Sequence, residues 1–201
     1  IMDLKRQVCM LVNERDYKVV RRLPEGKAGS SWVVTDGERN YVLKEFDSEL
    51  GSPAELTRAQ KLGSQRLRAA GIRVPALVDV DYARNRILRE YIDGENAFAL
   101  VLCRSVGDDI VLQLYDMSQR AESAGCNLDY FPTNFVLAKG QLWYVNYDAN
   151  PFMEEWSLDN WGIQYWRQSP ELELYLREYG AEFTGYETGH STGVQETPAG
   201  C

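Results

Sequence analysis

The sequence predicts an α+β protein whose first part is an antiparallel sheet with one helix and whose second part is mainly helical. Three observations lead to this prediction. Five short runs of strand-forming residues, separated by polar turns, lie between Tyr17 and Ile92. One longer segment with the apolar spacing of a helix interrupts them. After the polar break at residues 93–96, apolar residues recur mainly with the period of a helix.

The predicted sheet begins with three strands. The run from Tyr17 has the composition of a strand, and the sequence PEGKAGSS after it supplies a turn of small residues. The next run, WVVTDGERNYVLKEF, predicts two strands joined at Asp36 and Gly37. These three strands therefore form an antiparallel meander.

One helix and two further strands complete the first part. Ser52 is a suitable N-cap, Pro53 suits the first helical position, and Gly71 suits the end of the helix. The sequences VPALVDVDY and RILREYI then predict two strands separated by a polar turn. We expect residues 1–92 to form an N-terminal lobe of five strands and one helix.

The second part, residues 93–184, is expected to be a reduced and mainly helical C-terminal lobe. Asp108 or Asp109 can cap one helix, and Ser169 can cap another. Residues 185–201 are rich in Gly, Thr, Ser, Glu and Pro without apolar periodicity, which predicts a flexible tail.

The composition excludes several functional classes. A formal net charge of -8 argues against a protein that binds nucleic acid through its phosphates. No window of about 18 residues is apolar enough to span a membrane, so we expect a cytoplasmic protein without membrane partners. The four cysteines lack the spacing of a zinc site. The single histidine, His190, lies in the polar C-terminal segment, which argues against a Ser-His-Asp mechanism.

Residues that suit a metal-phosphate site concentrate between Cys126 and Asn150. Asp129 and Asn134 lie in a loop that leads into a predicted hairpin, and the hairpin ends on Asp148. This order brings two carboxylates and an amide to one end of a small sheet. Mg²⁺ prefers oxygen ligands and takes several of them from substrate phosphates. The stretch therefore predicts a Mg²⁺ site that also binds phosphate groups.

The order of these elements resembles that of the protein kinase-like superfamily. A glycine-rich turn, a strand lysine, a helix, two strands, a DxxxxN loop, a hairpin and a final Asp follow one another over roughly residues 17 to 150. Lipopolysaccharide kinases, aminoglycoside phosphotransferases and small atypical Ser/Thr kinases have an HGDxxxxN form of this loop. The resemblance implies a bilobal kinase-like fold with ATP and Mg²⁺ as cofactors.

The resemblance also implies the roles of four residues. Asp129 would orient the attacking hydroxyl, Asn134 and Asp148 would bind Mg²⁺, and Lys44 would pair with the α- and β-phosphates. Each residue type also has a structural explanation. Asp and Asn are common in Asx turns, an Asp can end a strand, and a strand lysine can be a solvated edge residue.

The nucleotide-binding residues match the superfamily less closely. The glycine-rich turn is represented by Gly26, Ala28, Gly29 and Val33. Small residues let backbone N–H groups approach phosphates, although an ordinary hairpin turn has a similar composition. The segment from Glu90 to Ile92 resembles the hinge whose backbone binds adenine.

Three features depart from the superfamily pattern. Asn127 replaces the histidine of the loop, and the Phe and Gly that follow the metal-binding Asp in protein kinases are absent after Asp148. The helix glutamate that would hold Lys44 is replaced by Gln60, although Glu55 could substitute for it. These departures leave open a nucleotide-binding pseudokinase that acts as a scaffold.

The acceptor of the phosphate is not identified by any motif. The segment after Asp148 is too short for the helical lobe with which typical protein kinases bind peptides, and it contains no APE motif. This favours an atypical protein serine/threonine kinase. A kinase of small-molecule hydroxyl groups and an interaction module without a nucleotide site remain as alternatives.

Overall fold

The computed structural model describes residues 8–24, 29–47 and 51–179, which form a mixed α+β structure. The N-terminal half, up to residue 92, is built on an antiparallel sheet. Its strands are β1 (Cys9–Val12), β2 (Arg15–Arg22), β3 (Ser30–Thr35), β4 (Asn40–Glu45), β5 (Leu77–Asp81) and β6 (Arg86–Glu90). Their order in the sheet is β1-β2-β3-β4-β6-β5. The predicted strands are all present, but the sheet has six strands, so the predicted number of five is wrong.

The additional strand is β1. It pairs with β2 across a two-residue turn that includes Asn13, whose φ of 53° is left-handed. Asn tolerates this conformation, which suits a tight hairpin. Val12 is fully buried beside Tyr17 and Leu88. The run of four residues is too short to show a strand pattern in the sequence, and burial against the outer face of the sheet stabilises it.

The two faces of the sheet have different surroundings. The outer face buries a small cluster that includes Val34 and Leu43. On the other face Lys44 pairs with Ile87, and Val42 pairs with Arg89. Directly paired residues lie on the same face, and Ile87 belongs to the core that the sheet shares with the C-terminal half. Lys44 and Arg89 therefore face the C-terminal half.

One helix, α1 (Pro53–Ala69), packs between the sheet and the C-terminal half. It begins and ends where the sequence predicts, although the side chain of Ser52 makes no capping hydrogen bond. Gln60 and Gly63 lie on its buried face. A Cβ atom at Gly63 would collide with the carbonyl oxygen of Tyr147. Glycine at this position therefore allows α1 to lie directly against the segment that carries Asp148.

The C-terminal half, residues 93–179, contains three helices and also two small sheets. Its helices are α2 (Ala97–Leu102), α3 (Asp108–Ser123) and α4 (Pro170–Tyr179), and its strands are β7 (Glu95–Asn96), β8 (Cys126–Asn127), β9 (Phe135–Ala138), β10 (Gln141–Tyr144) and β11 (Asn150–Pro151). Strands β10, β9 and β7 form one sheet, and β11 pairs with β8. The strands that surround the predicted metal site make this half less helical than the sequence suggests.

The hairpin between β9 and β10 forms where the sequence predicts it. Lys139 and Gly140 both have positive φ angles, of 51° and 72°, as a tight two-residue hairpin turn requires.

Of the N-caps predicted for α3 and α4, only that of α4 is present. Ser169 accepts a hydrogen bond from the backbone of Leu172 and begins α4, whereas Asp108 lies in the first turn of α3 rather than at its cap.

A single large hydrophobic cluster joins the two halves. It contains Leu67 and Ile87 from the N-terminal half and Leu114 and Leu142 from the C-terminal half.

The expected tail at residues 185–201 lies outside the described residues. None of the helices in the described part of the chain is long and apolar enough to cross a membrane.

Tyr147 lies in this junction, and its hydroxyl group donates a 2.9 Å hydrogen bond to the carbonyl oxygen of Pro75. Burial raises the pKa of Tyr147 to about 12, although the nearby guanidinium group of Arg89 acts in the opposite direction. A raised phenol pKa stabilises the folded state fully below about pH 10, the ordinary tyrosine pKa. This contribution is lost as the pH rises through about 12.

Tyr147→Phe should therefore change the dependence of stability on pH. Near about pH 8 the variant should be less stable by about 1 kcal/mol, because one buried hydrogen bond is lost. Above about pH 10 the difference should shrink or reverse, because only the wild type must keep a phenol protonated that ionises on unfolding. Urea unfolding of both proteins across this range measures the difference. A difference that stays constant with pH would contradict the prediction.

Candidate active site at the junction of the two halves

The loop between β8 and β9 carries Asp129 and Asn134. The Oδ1 atom of Asp129 accepts a 3.1 Å hydrogen bond from the backbone of Phe131, which forms an Asx turn. The Nδ2 atom of Asn134 donates a 3.3 Å bond to the carbonyl oxygen of Asp129. Asp129 therefore does form the Asx turn that explains this residue type structurally. The same turn also fixes the direction of the carboxylate, which a catalytic role requires.

Asn127 connects this loop to the segment after Asp148. Its side chain is buried, accepts a 2.6 Å bond from the backbone N–H of Met153, and donates a 3.2 Å bond to the carbonyl oxygen of Trp156. Both ends of the amide are therefore used. Asn127 therefore holds the loop in place by hydrogen bonds.

Asn146 joins the two predicted metal ligands. Its Nδ2 atom donates to Oδ2 of Asp148 at 2.9 Å and to Oδ1 of Asn134 at 3.4 Å. The backbone of Val145 also donates to the carbonyl oxygen of Asn134 at 2.8 Å. The oxygen atoms of Asn134 and Asp148 therefore lie on either side of one amide group. The sequence analysis did not identify Asn146, because nothing in a single sequence shows which asparagine lies between two others in space.

Tyr144 connects the two acidic residues. Its hydroxyl group accepts a 3.1 Å bond from the backbone N–H of Asp129 and donates a 3.1 Å bond to the carbonyl oxygen of Asp148. Burial raises the pKa of Tyr144 well above its ordinary value, and the negative charges of Asp148 and Asp129 raise it further. Both carboxylates are therefore close to one phenol group. The Tyr144 hydroxyl group therefore joins the backbones of the two acidic residues.

Lys44 approaches this site from the sheet. Burial and the neighbouring charge of Arg89 lower the pKa of Lys44, and the negative charge of Asp148 partly offsets them. The Lys44 ammonium group lies 5.1 Å from the ring centroid of Phe46. The structure therefore brings Lys44 close enough to Asp148 for the two charges to interact across the junction.

Gln60, rather than Glu55, belongs to the site. Its Nε2 atom donates a 2.6 Å bond to Oδ1 of Asp148, whereas Glu55 is exposed. The Oε1 atom of Gln60 is buried and has no hydrogen-bond partner among the described residues. Of the two helix residues considered as partners of Lys44, Gln60 therefore contacts Asp148.

The predicted nucleotide-binding residues are only partly within the described structure. Gly26 and Ala28 lie outside it. Gly29 has a φ of 131°, and a Cβ atom there would collide with the backbone of Glu45. Val33 is buried, and its pairing with Val42 puts it on the same face of the sheet as Lys44.

The predicted hinge lies at the end of β6. Glu90 donates from its backbone to the carbonyl oxygen of Ala76 at 2.9 Å, and its side chain accepts a 3.1 Å bond from the backbone of Ala76. Ile92 is half-buried just beyond the strand. Glu90 is thus fixed to the segment that leads into β5.

The oxygen atoms of Asn134 and Asp148 would suit Mg²⁺, which needs few protein ligands, better than a metal ion that takes all its ligands from protein. Asn134 Oδ1 and the carboxylate of Asp148 are hard oxygen ligands, and no group of three His, Cys, Asp or Glu in the described ranges could hold a metal ion. Mg²⁺ commonly takes one or two protein ligands and fills its other positions with phosphate oxygens and water. Both oxygens of Asp148 accept one amide hydrogen bond, and each keeps a further lone pair.

Three residues of the site were not identified from the sequence: Tyr144, Asn146 and Arg89. The guanidinium group of Arg89 interacts with Asp148 and lies 5.8 Å from the ring centroid of Tyr147. Tyr144 and Arg89 lie in strands, and Asn146 lies in the segment after β10, and all three have an ordinary sequence pattern. Only their proximity to Asp148 in the fold distinguishes these three residues from others of the same type.

Comparisons with known proteins are limited. No protein-family model and no curated protein matches the sequence. Among solved structures, the kinase domain of Mycobacterium tuberculosis PknI, crystallised as a mutant, matches with 17% identity and a TM-score of 0.45. The matched region covers 65% of this chain and 58% of the PknI chain. At this similarity, the function has to be argued from the contacts in the site.

Tyr144→Phe should destabilise the protein by roughly 1–3 kcal/mol, because it leaves two buried backbone groups without partners. Tyr147→Phe is the matched control, since Tyr147 is equally buried but its hydroxyl group makes a single described hydrogen bond, a 2.9 Å donation to the carbonyl oxygen of Pro75. The control variant should lose less free energy of unfolding. Urea unfolding of both variants measures the difference. Equal losses would show that the bridge between Asp129 and Asp148 contributes nothing specific.

Proposed function

We propose that this protein is an ATP- and Mg²⁺-dependent phosphotransferase that acts on hydroxyl groups. The observation that carries the proposal is the convergence of Lys44, Asp129, Asn134 and Asp148 at the junction of the two halves. The hydrogen bonds of Tyr144 and Asn146 fix three of these residues relative to one another. The negative charge of Asp148 also acts on Lys44, which lies on the sheet.

Each of the four residues has a role that follows from its chemistry. When bound, Mg²⁺ would neutralise the phosphate charge and supply the octahedral coordination that orients the phosphates. Asn134 and Asp148 would hold it through oxygen atoms. Lys44 would bind the phosphate oxygens through its ammonium group, and Asp129 would accept the proton of the attacking hydroxyl group.

We favour a protein serine or threonine as the acceptor. Met153 and Trp156 are about half exposed, and the bonds from Asn127 fix both residues beside the loop that carries Asp129. Met and aromatic residues are enriched in protein interfaces. An open surface of this kind next to Asp129 suits a polypeptide better than a small molecule, which is usually enclosed. A small-molecule hydroxyl acceptor is the alternative.

A pseudokinase is the second candidate, and one observation favours it. Gln60 replaces the carboxylate that would hold Lys44 and donates to Asp148 instead. Lys44 then lacks a helix carboxylate that would fix its position. Such a protein would bind a nucleotide and act as a scaffold without transferring phosphate.

Transfer of phosphate from ATP labelled at the γ position distinguishes these candidates. With Mg²⁺ and a general protein acceptor, the wild type should transfer label, and Asp129→Asn should transfer it about 10²- to 10⁴-fold more slowly, because the general base is lost. Asp116→Asn is the control, because Asp116 is an exposed acid paired with Arg120 on α3. Its rate should equal that of the wild type.

The possible outcomes separate the alternatives. Binding of Mg-ATP without transfer to any acceptor would support the pseudokinase. Transfer only to small hydroxyl compounds would support the small-molecule kinase. If Mg-ATP neither binds nor raises the thermal stability of the protein, the nucleotide site does not exist, because a ligand of the native state must stabilise it.

A further inference from the structure

Two cations lie side by side on the face of the sheet that borders the site. Lys44 on β4 and Arg89 on β6 occupy neighbouring pairs of the antiparallel ladder, Lys44 with Ile87 and Val42 with Arg89. The charge of Arg89 acts on Lys44. The two positive groups therefore repel each other in a partly buried position, which needs an explanation.

The protein groups around these cations do not balance their charge. Asp148 is the carboxylate that acts on both Lys44 and Arg89. Its own oxygens also accept bonds from Gln60 and Asn146, which are neutral amides. A glutamate at position 60 would have supplied a second negative charge. Two cations therefore share one carboxylate among the residues that the structure describes.

Arg89 also has an unused hydrogen-bond donor. Its Nη1 group donates to the carbonyl oxygen of Val145, and its guanidinium plane lies over the ring of Tyr147. The Nε atom is buried and has no partner among the described residues. A buried donor without an acceptor is unfavourable, so an acceptor that reached Nε would be bound favourably.

We propose that Arg89 and Lys44 together form a phosphate-binding subsite for the polyphosphate group of a nucleotide. A phosphate group would supply the missing negative charge and an acceptor for Nε. Arginine suits this task because its planar guanidinium group binds phosphate oxygens with good geometry. The subsite deepens the proposed function and rests on it for the nucleotide, although binding of a free polyphosphate does not require phosphate transfer.

The proposal has a consequence for stability without a ligand. Removing a partly buried cation that is not balanced by the protein should leave the free protein as stable as before, or make it more stable. If Arg89 were a purely structural residue, its bond to Val145 and its contact with Tyr147 would make the same substitution destabilising. A fall in unfolding temperature is therefore expected only for the purely structural role.

Binding of pyrophosphate in the presence of EDTA tests the subsite without Mg²⁺ or transfer. Arg89→Met is the variant, and Arg73→Met is the matched control. Arg73 also donates from Nη1 to a backbone carbonyl, that of Leu142 at 2.9 Å, and lies 6.0 Å from the ring centroid of Trp143. Calorimetry gives the affinity of each protein, and thermal unfolding gives its stability.

Arg89→Met should bind pyrophosphate about tenfold or more weakly than the wild type, the loss expected when a charge-assisted hydrogen bond to phosphate is removed. Its unfolding temperature without ligand should not fall. Arg73→Met should keep the wild-type affinity. Arg89→Lys keeps the charge without the planar group, and an intermediate affinity is expected, so this variant decides the question if Arg89→Met does not fold.

The proposal is overturned if the wild type does not bind pyrophosphate, or if Arg89→Met binds it as well as Arg73→Met does. Parallel titrations with ATP and adenosine identify the group that is recognised, since only ATP should lose affinity in Arg89→Met. Failure of the proposed function is separate from failure of the subsite. Normal pyrophosphate binding without transfer of label removes the kinase, whereas transfer with unchanged affinity in Arg89→Met removes the subsite.

Discussion

The arrangement of the whole site depends on the carboxylate of Asp148. One of its oxygens accepts a bond from Gln60 on α1, and the other accepts a bond from Asn146. On the sheet side its charge acts on Lys44 and Arg89. The helix α1, the sheet and the segment after β10 therefore meet at one charged group. A shift of any one of these elements would therefore change the surroundings of the Asp148 carboxylate.

Close backbone packing makes this meeting possible. Gly63 lets α1 lie against the carbonyl oxygen of Tyr147, one residue before Asp148. The hydroxyl group of Tyr147 reaches back to Pro75, between α1 and β5. The site is therefore built into the shared core of the two halves. Its polar groups are partly buried, and in such surroundings the charges interact more strongly than they would in water.

The sequence was sufficient for the features that depend on local pattern. The strands β2 to β6, the helix α1, the β9–β10 hairpin and the approach of Asp129 to Asp148 all follow from periodicity, turn residues and order along the chain. Contacts between residues distant in sequence could not be predicted in the same way. The sequence left open whether Gln60 or Glu55 partners Lys44, and in the structure Gln60 contacts Asp148. Arg89 has the pattern of an ordinary strand residue, and only the fold brings its charge near Asp148.

Titration of the protein with ATP, in Mg²⁺ and again in EDTA, tests the central claim most directly. If Lys44 and Asp148 act on one nucleotide, Lys44→Met should weaken binding under both conditions, because Lys44 would contact the phosphates directly in the proposed site. Asp148→Asn should remove mainly the gain in affinity that Mg²⁺ provides, because it acts through the metal. Loss of affinity in neither variant, or an affinity of the wild type that does not depend on Mg²⁺, would contradict the account.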